Sequence, residues 1–186
     1  WYAETLLITP VDSLSTLHLL GLREEASRAQ RLVVEQLSFD KDIEVKNFEV
    51  TIRILGGLLS AYEMTGDRNL LHLAENLGDR LLPAFESPTG MPYMYVNLRT
   101  GKTRGARSNP AEIGTLIVEF GTLSRHTRKP VYFDKAKRAL VELYKRRSAV
   151  GLVGEEIDVE TGEWTNTVSH VGGAIDSIDT GAADTA

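Results

Sequence analysis

Apolar residues recur at helical spacing over residues 48–62, where they form a broad stripe. The stripe follows the i, i+4, i+7 spacing of an amphipathic helix and consists of Phe48, Ile52, Leu55, Leu59 and Tyr62. Val50, Ile54 and Leu58 widen it, so the predicted helix is expected to lie inside the fold. Gly56 and Gly57 are unfavourable in an exposed helix, and we therefore expect a second helix to approach closely there.

The helical pattern occurs in pairs that repeat along the chain. The pairs are predicted over residues 12–20 and 23–37, 48–62 and 69–82, and 111–124 and 131–146. Gly66 is placed to end the first helix of the second pair, because glycine tolerates the positive φ of a helix C-terminus. The first helix of the third pair repeats the pattern of the second pair 64 positions further along. Three helical hairpins are therefore expected.

The connectors between the pairs also repeat. Residues 95–103 and 156–164 each place a Thr-Gly dipeptide between two short alternating segments, which is typical of a β-hairpin. A period of about 60 residues is longer than that of common α-solenoids and favours a ring of helical hairpins. We therefore predict an all-α fold, a partial barrel or toroid of helical hairpins with short β-hairpins in the connecting loops.

The composition narrows the classes of function. With 21 Lys and Arg against 26 Asp and Glu, the net charge is −5, which argues against a nucleic-acid partner. The absence of cysteine excludes disulfides, thiolate metal sites and cysteine nucleophiles. No apolar run approaches the ~20 residues of a membrane-spanning helix, so no transmembrane segment is predicted. The four histidines lack metal-ligand spacing, and no metal ligand is predicted in this chain.

Acidic residues stand at or just inside the expected starts of the first helices, and one more follows the last connector. These residues are Asp12, Glu49, Glu112 and Asp176. One interpretation is that the helix dipole favours acids in the first turn. The alternative is a catalytic cavity, because the starts of these helices gather at one end of a ring of hairpins. Facing carboxylates of this kind are what glycoside hydrolysis requires.

Four segments carry specific motifs. Residues 48–62 read Phe-Glu-Val-Thr-Ile-Arg-Ile-Leu-Gly-Gly-Leu-Leu-Ser-Ala-Tyr, and the other segments are residues 12–22, 111–124 and 170–177. All four resemble segments of the class I α-1,2-mannosidases, glycoside hydrolase family 47, and the first matches its family motif almost residue for residue. The resemblance extends over residues 7–177, which is nearly the whole chain.

The resemblance implies an (αα)7 barrel that removes α-1,2-linked mannose from oligosaccharides with inversion, around a bound calcium ion. It implies that Glu49 is the general acid and Asp176 a second catalytic carboxylate, with Glu112 and Arg53 binding the sugar. Arg53 lies one turn beyond Glu49, and a purely structural ion pair is the alternative for it. The family also suggests a secretory or exported protein.

The resemblance ends at Ser177, so residues 1–177 are predicted to be part of a catalytic domain and residues 178–186 an unrelated or disordered tail. The family's general base and the threonine that ligates calcium have no match here, and Ser15 replaces an acid of the first motif. We therefore expect this chain to be a truncated fragment without efficient catalysis. Two alternatives stay open, a lectin-like relative that binds mannose without cleaving it and a non-enzymatic α-solenoid scaffold.

Overall fold

The computed structural model describes residues 4–176, so the predicted tail over residues 178–186 lies outside the described part. The helices are α1 (Ile8–Leu19), α2 (Arg23–Gln36), α3 (Asn47–Val50), a π-helical turn (Thr51–Leu55), α4 (Gly56–Thr65), α5 (Arg68–Leu81), a 3-10 turn (Leu82–Phe85), α6 (Pro110–Gly114), α7 (Ile117–Thr127) and α8 (Pro130–Lys145). The strands are β1 (Glu44–Lys46), β2 (Tyr95–Asn97), β3 (Thr103–Arg104), β4 (Arg107–Ser108), β5 (Glu156–Asp158) and β6 (Trp164–Asn166).

The helices form three hairpins, as predicted from the repeated pairs. The pairs are α1 with α2, the run from α3 to α4 with α5, and the run from α6 to α7 with α8. The first helices of successive pairs also pack on one another, α1 on α4 and α4 on α7. Each amphipathic helix thereby buries its apolar face against a neighbour, which is the usual source of stability in a helical fold. None of the helices in residues 4–176 has the length and apolar character needed to cross a bilayer.

The run over residues 47–65 is one continuous helical rod whose middle is the π-helical turn. Its most deeply buried apolar residues are Val50, Ile54, Leu55, Leu58 and Ala61. The stripe predicted at 3.6-residue spacing is partly wrong, because Phe48, Ile52 and Tyr62 are only half-buried. The i→i+5 hydrogen bonds of a π-helical turn rotate the helix faces relative to regular α-helical spacing. Residues 50, 54, 58 and 61 nevertheless keep the i, i+4, i+8, i+11 spacing of one face, so the core lies on the side where Val50, Ile54 and Leu58 were expected to widen the stripe.

Gly57 lies where α1 packs closely on α4. A Cβ atom at this position would lie 2.8 Å from Val11 Cγ1 and 3.1 Å from the Val11 carbonyl oxygen. The close approach predicted from the glycine pair is therefore confirmed, and α1 is the helix that makes it. Gly56 differs, because a Cβ atom there would meet ordinary contacts that begin 3.5 Å away at Glu119 Cγ.

The turn between α4 and α5 has the predicted chemistry. Gly66 adopts a φ of 71°, and its N–H donates to the Tyr62 carbonyl oxygen 2.8 Å away, which ends α4. Asp67 then caps α5, since its Oδ1 atom accepts a hydrogen bond from the Asn69 N–H at 2.9 Å.

Two antiparallel three-stranded sheets lie in the connectors, in the orders β1-β2-β3 and β4-β5-β6. The predicted hairpins, β2–β3 and β5–β6, are confirmed, and each gains a third strand from the preceding connector. β1 pairs Lys46 with Tyr95 and leads directly into α3. β4 leads to Asn109, whose side chain caps α6 by accepting from the Glu112 N–H at 3.0 Å. The sheets therefore fix the starts of two helices that carry candidate site residues.

One predicted helix start is wrong. α1 begins at Ile8, so Asp12 lies in its second turn rather than at its start. Pro10 is compatible with this earlier start. N–H groups in the first turn of a helix have no partner within the helix, so the N–H that proline lacks is not needed there. Asp176, the last described residue, lies in a turn, and its N–H donates to the Gly172 carbonyl oxygen at 2.9 Å. The residues that follow it lie outside the described part.

Candidate active site

Arg53 brings two of the predicted acids together. Its Nε atom lies 2.9 Å from Glu49 Oε2, and its Nη1 atom lies 3.3 Å from Asp12 Oδ2. The Arg53 side chain is 49% exposed, and both carboxylates are 39% exposed. The ion pair predicted between Arg53 and Glu49 is thus present, and Arg53 also joins the first hairpin to the second. The charges remain accessible to a polar ligand.

Glu112 belongs to a second cluster that contains Lys46. Glu112 is 8% exposed, and its Oε1 atom lies 2.7 Å from Lys46 Nζ. Its other oxygen, Oε2, is buried without a hydrogen-bond partner in the described part of the chain. Partial burial lowers the pKa of Lys46, but its ion pair with Glu112 and the charges of Tyr95 and Glu49 outweigh burial and raise the pKa overall. Lys46 therefore couples the Glu112 cluster electrostatically to the Glu49 cluster.

Asp176 is held near the Glu112 cluster by backbone contacts. The Ala111 N–H, in the first turn of α6, donates to the Ala174 carbonyl oxygen at 2.9 Å. Ile175 is buried and anchors this turn in the core, while Asp176 itself is exposed. The turn therefore ends beside the helix start that carries Glu112. Within residues 4–176, no side-chain hydrogen bond or ion pair connects Asp176 with Glu49.

An open depression of about 780 Å³ lies beside the Arg53 cluster. Its walls are residues 4–10 on one side and Glu49, Val50 and Arg53 on the other. The volume is in the range of small-ligand sites, which is ~300–1,000 Å³. One wall contains a leucine pair and an isoleucine, and the other carries opposite charges. Such walls suit a ligand with both C–H surfaces and hydroxyl groups.

Residues 4–176 contain no group of three or more His, Asp or Glu side chains placed to hold a metal ion. The donors near the depression are instead paired with cations, as Glu49 and Asp12 are with Arg53. Carboxylates paired in this way are not a vacant set of oxygen ligands of the kind that calcium prefers. The described residues thus do not fit the calcium ion implied by the resemblance, and no chemical step is derived through it.

Comparison with known proteins decides the family. The sequence model of glycosyl hydrolase family 47 matches residues 3–178. The chain belongs to family 47. Alpha-mannosidase I MNS5 of Arabidopsis thaliana is 42% identical over 184 residues, which cover 92% of this chain and 32% of that protein. Mannosyl-oligosaccharide 1,2-alpha-mannosidase MNS1 of the same plant is 41% identical over 176 residues, which cover 91% of this chain and 31% of that protein.

This family 47 chain spans about a third of the length of these curated relatives. The alpha-1,2-mannosidase from Trichoderma reesei has the same helical fold with small sheets, with a TM-score of 0.83 and 28% identity over 91% of this chain and 39% of that structure. A D-mannose isomerase shares the fold with a TM-score of 0.66 at 14% identity, over 87% of this chain and 49% of that structure. The family predicted from the sequence motifs is therefore confirmed.

One charged residue of the candidate site was not found from the sequence. Lys46 comes just before the helical rod and three positions before Glu49, so a cation beside a candidate acid was a usable signal. Its partner Glu112 is 66 positions away, and the sheet pairing that brings them together is a tertiary feature. Asp12 was expected at a helix start, yet it reaches Arg53 from the second turn of α1.

Proposed function

We propose that this family 47 chain is part of an inverting α-1,2-mannosidase, which removes α-1,2-linked mannose from mannose-containing oligosaccharides. The names of the relatives support the reaction, and the motif over residues 48–62 supports the site. In the proposal, the three hairpins are part of an (αα)7 barrel, with α1, α4 and α7 facing its interior. Calcium dependence belongs to the proposal as well, through residues other than those described.

The free oxygen of Glu112 is the observation that carries the sugar-binding part of the proposal. A buried acceptor without a partner costs ~1–3 kcal/mol, and a ligand donor that reaches it removes this cost. Sugar hydroxyl groups are such donors. Because Lys46 already neutralises the other oxygen, Glu112 can accept a hydroxyl hydrogen bond without carrying an unpaired buried charge. We assign Glu112 and Arg53 to sugar binding.

Glu49 and Asp176 are the catalytic carboxylates of the proposal. Glu49 lines the depression, and Arg53 holds it in position, so it is placed to pass a proton to the leaving oxygen directly or through a water. The turn that ends at Asp176 is bonded to the first turn of α6, which supports the assignment of Asp176 to this site. Inversion requires two carboxyl groups ~6.5–9.5 Å apart, with the attacking water between the base and the sugar.

The experiment measures mannose release from α-1,2-linked mannobiose by the protein expressed from its complete gene, with calcium added. We expect β-mannose as the first anomer observed by NMR and no release from α-1,6-linked mannobiose. Glu49→Gln is expected to lower kcat by ~100-fold or more, because it removes a positioned acid. Glu112→Gln is expected to act mainly on KM. Glu35→Gln, on the exposed face of α2, is the matched control and is expected to change neither constant.

Each failure has a distinct meaning. If the protein binds mannose oligosaccharides but releases no mannose, the proposed mannosidase activity is contradicted and the lectin-like alternative is supported. Release of α-mannose contradicts inversion, and equal cleavage of both linkages contradicts the α-1,2 specificity. The 186-residue chain alone is expected to show little turnover, because Glu49 and Arg53 stay 39% and 49% exposed and water screens charges in an open site. Efficient turnover by this chain would contradict that expectation.

A further inference from the structure

The contact between the rods over residues 47–65 and 110–127 forms a seam with ion pairs at both ends. At one end Lys46 contacts Glu112, and at the other Glu63 lies 2.8 Å from His126 Nε2. Glu112, Glu119 and His126 are spaced by seven residues, so they lie along one face of the second rod. Glu119 is the acid in the middle of the seam, and no cation of residues 4–176 forms an ion pair with it.

Gly56 provides the space that Glu119 occupies. The point where a Gly56 Cβ atom would stand lies 3.5 Å from Glu119 Cγ and 3.6 Å from Glu119 Oε1. The carbonyl oxygen of Thr51 lies 3.7 Å from the same point. Glu119 and the backbone of Thr51, the first residue of the π-helical turn, therefore both lie close to the space beside Gly56.

Two buried polar atoms in this region lack partners within residues 4–176. They are Glu119 Oε2 and Thr51 Oγ1, and Thr51 is 0% exposed. A neutral carboxyl group has an O–H donor, and a threonine hydroxyl or a backbone carbonyl can accept from it. An ionised carboxylate could only accept, and its charge would be buried without a counter-ion. Either protonation state of Glu119 could bond the Thr51 hydroxyl, but only the neutral acid does so without burying a charge that lacks a counter-ion.

The electrostatics of Glu119 agree with this pairing. Burial raises the pKa of Glu119 to about 7, and a hydrogen bond from its own backbone N–H opposes the rise. The charged groups of the seam are Lys46 with Glu112 at one end, and Glu63 with Arg125 and His126 at the other. These groups are paired with one another, two helical turns from Glu119.

We propose that Glu119 is held as a neutral acid whose O–H is linked to the Thr51 hydroxyl across the seam through one buried water. Glu119 is then a positioning residue, because it fixes the π-helical turn that carries Arg53 and follows Glu49 while touching no substrate itself. The consequence for catalysis rests on the proposed function, whereas the pairing does not. At high pH the acid ionises, and the link through its O–H is lost.

The first test is the unfolding equilibrium of the full chain in urea from pH 4 to pH 9. The pKa of Glu119 is raised from 4.5 in the unfolded chain to about 7 in the folded chain. The stabilisation that neutral Glu119 contributes is therefore complete below pH 4.5 and is lost as pH rises through about 7. The folded-to-unfolded ratio of the wild type should therefore fall relative to Glu119→Gln by up to ~300-fold over this range, and then level off. Glu35→Gln should follow the wild-type curve. Identical pH curves for wild type and Glu119→Gln would overturn the proposal.

The second test asks whether Thr51 is the partner. Thr51→Val keeps the shape and removes the hydroxyl, and it should be non-additive with Glu119→Leu in a double-mutant cycle at pH 5. Additive effects would contradict the pairing. The infrared C=O band of a protonated carboxyl should be present at pH 6 and absent in Glu119→Gln, and amide exchange over residues 51–56 should be faster in Glu119→Leu. None of these measurements needs mannose release, so an inactive protein that passes them contradicts only the proposed function.

Discussion

Replacing each of the two adjacent glycines of α4 with alanine, one at a time, tests how closely α1 and α4 pack. Gly57→Ala gains ~1 kcal/mol of helix propensity, but an added Cβ atom meets Val11 Cγ1 at 2.8 Å and the Val11 carbonyl oxygen at 3.1 Å. A rotamer change can move Cγ1, whereas the carbonyl belongs to the backbone of α1. Overpacking of this kind costs ~1–3 kcal/mol. We therefore expect a net loss of up to ~2 kcal/mol for Gly57→Ala and a gain of up to ~1 kcal/mol for Gly56→Ala.

Urea unfolding of the 186-residue chain, followed by circular dichroism, measures this difference. With an m-value of ~2 kcal/mol per molar urea, the midpoints of the two variants should differ by ~1 M. Val11→Ala combined with Gly57→Ala should restore only part of the loss, because the carbonyl contact remains. If Gly57→Ala proves as stable as Gly56→Ala, α1 yields without cost, and the close approach does not explain the glycine.

Three further predictions concern stability. Asp67→Ala removes the N-cap of α5 and should cost ~1 kcal/mol, measured by urea unfolding, while Asp67→Asn should retain most of it. Tyr132→Phe removes the hydroxyl that donates to Asp79 and should cost ~1–2 kcal/mol by the same assay, since the ring itself stays buried. Lys145 and Arg146 donate hydrogen bonds to the Glu142 carboxylate and lower its pKa from 4.5 to about 2. The stabilisation from these bonds is therefore complete above pH 4.5 and is lost as pH falls toward 2. Glu142→Gln should accordingly flatten the acid side of the stability curve, and an unchanged acid limb would contradict this.

The parts of the fold that local chemistry specifies were predictable from the sequence. Gly66 and Asp67 mark a helix end and the next helix start with backbone and capping preferences that act over a few residues. The hairpins followed from Thr-Gly dipeptides, whose glycines Gly101 and Gly162 adopt φ values of 69° and 77°. The motif over residues 48–62 likewise placed Glu49 and Arg53 on one face, and they form the predicted ion pair.

Features that depend on tertiary contacts were not predictable. The π-helical turn at Thr51–Leu55 has no signature in hydrophobic spacing, since the buried residues 50, 54, 58 and 61 keep regular helical spacing across it. The start of α1 at Ile8, four positions before the expected start at Asp12, was missed, although proline is acceptable in the first turn. The burial of Glu119 follows from its position opposite Gly56, which no single helix reveals. The assigned roles of Glu49, Asp176, Glu112 and Arg53 remain predictions.

The placement of the two cations is easier to explain by function than by stability. Arg53 joins the first hairpin to the second, and Lys46 joins the second to the third, each through an acid near a helix start. Exposed ion pairs such as that of Arg53 contribute only ~0–1 kcal/mol, so stability gives little reason to keep them. Glu112 is different, because removing Lys46 would leave a buried carboxylate uncompensated. A site that must keep carboxylates in fixed positions while a ligand enters gains from both cations, because they fix the acids without occupying every acceptor, and Oε2 of Glu112 has no partner within residues 4–176.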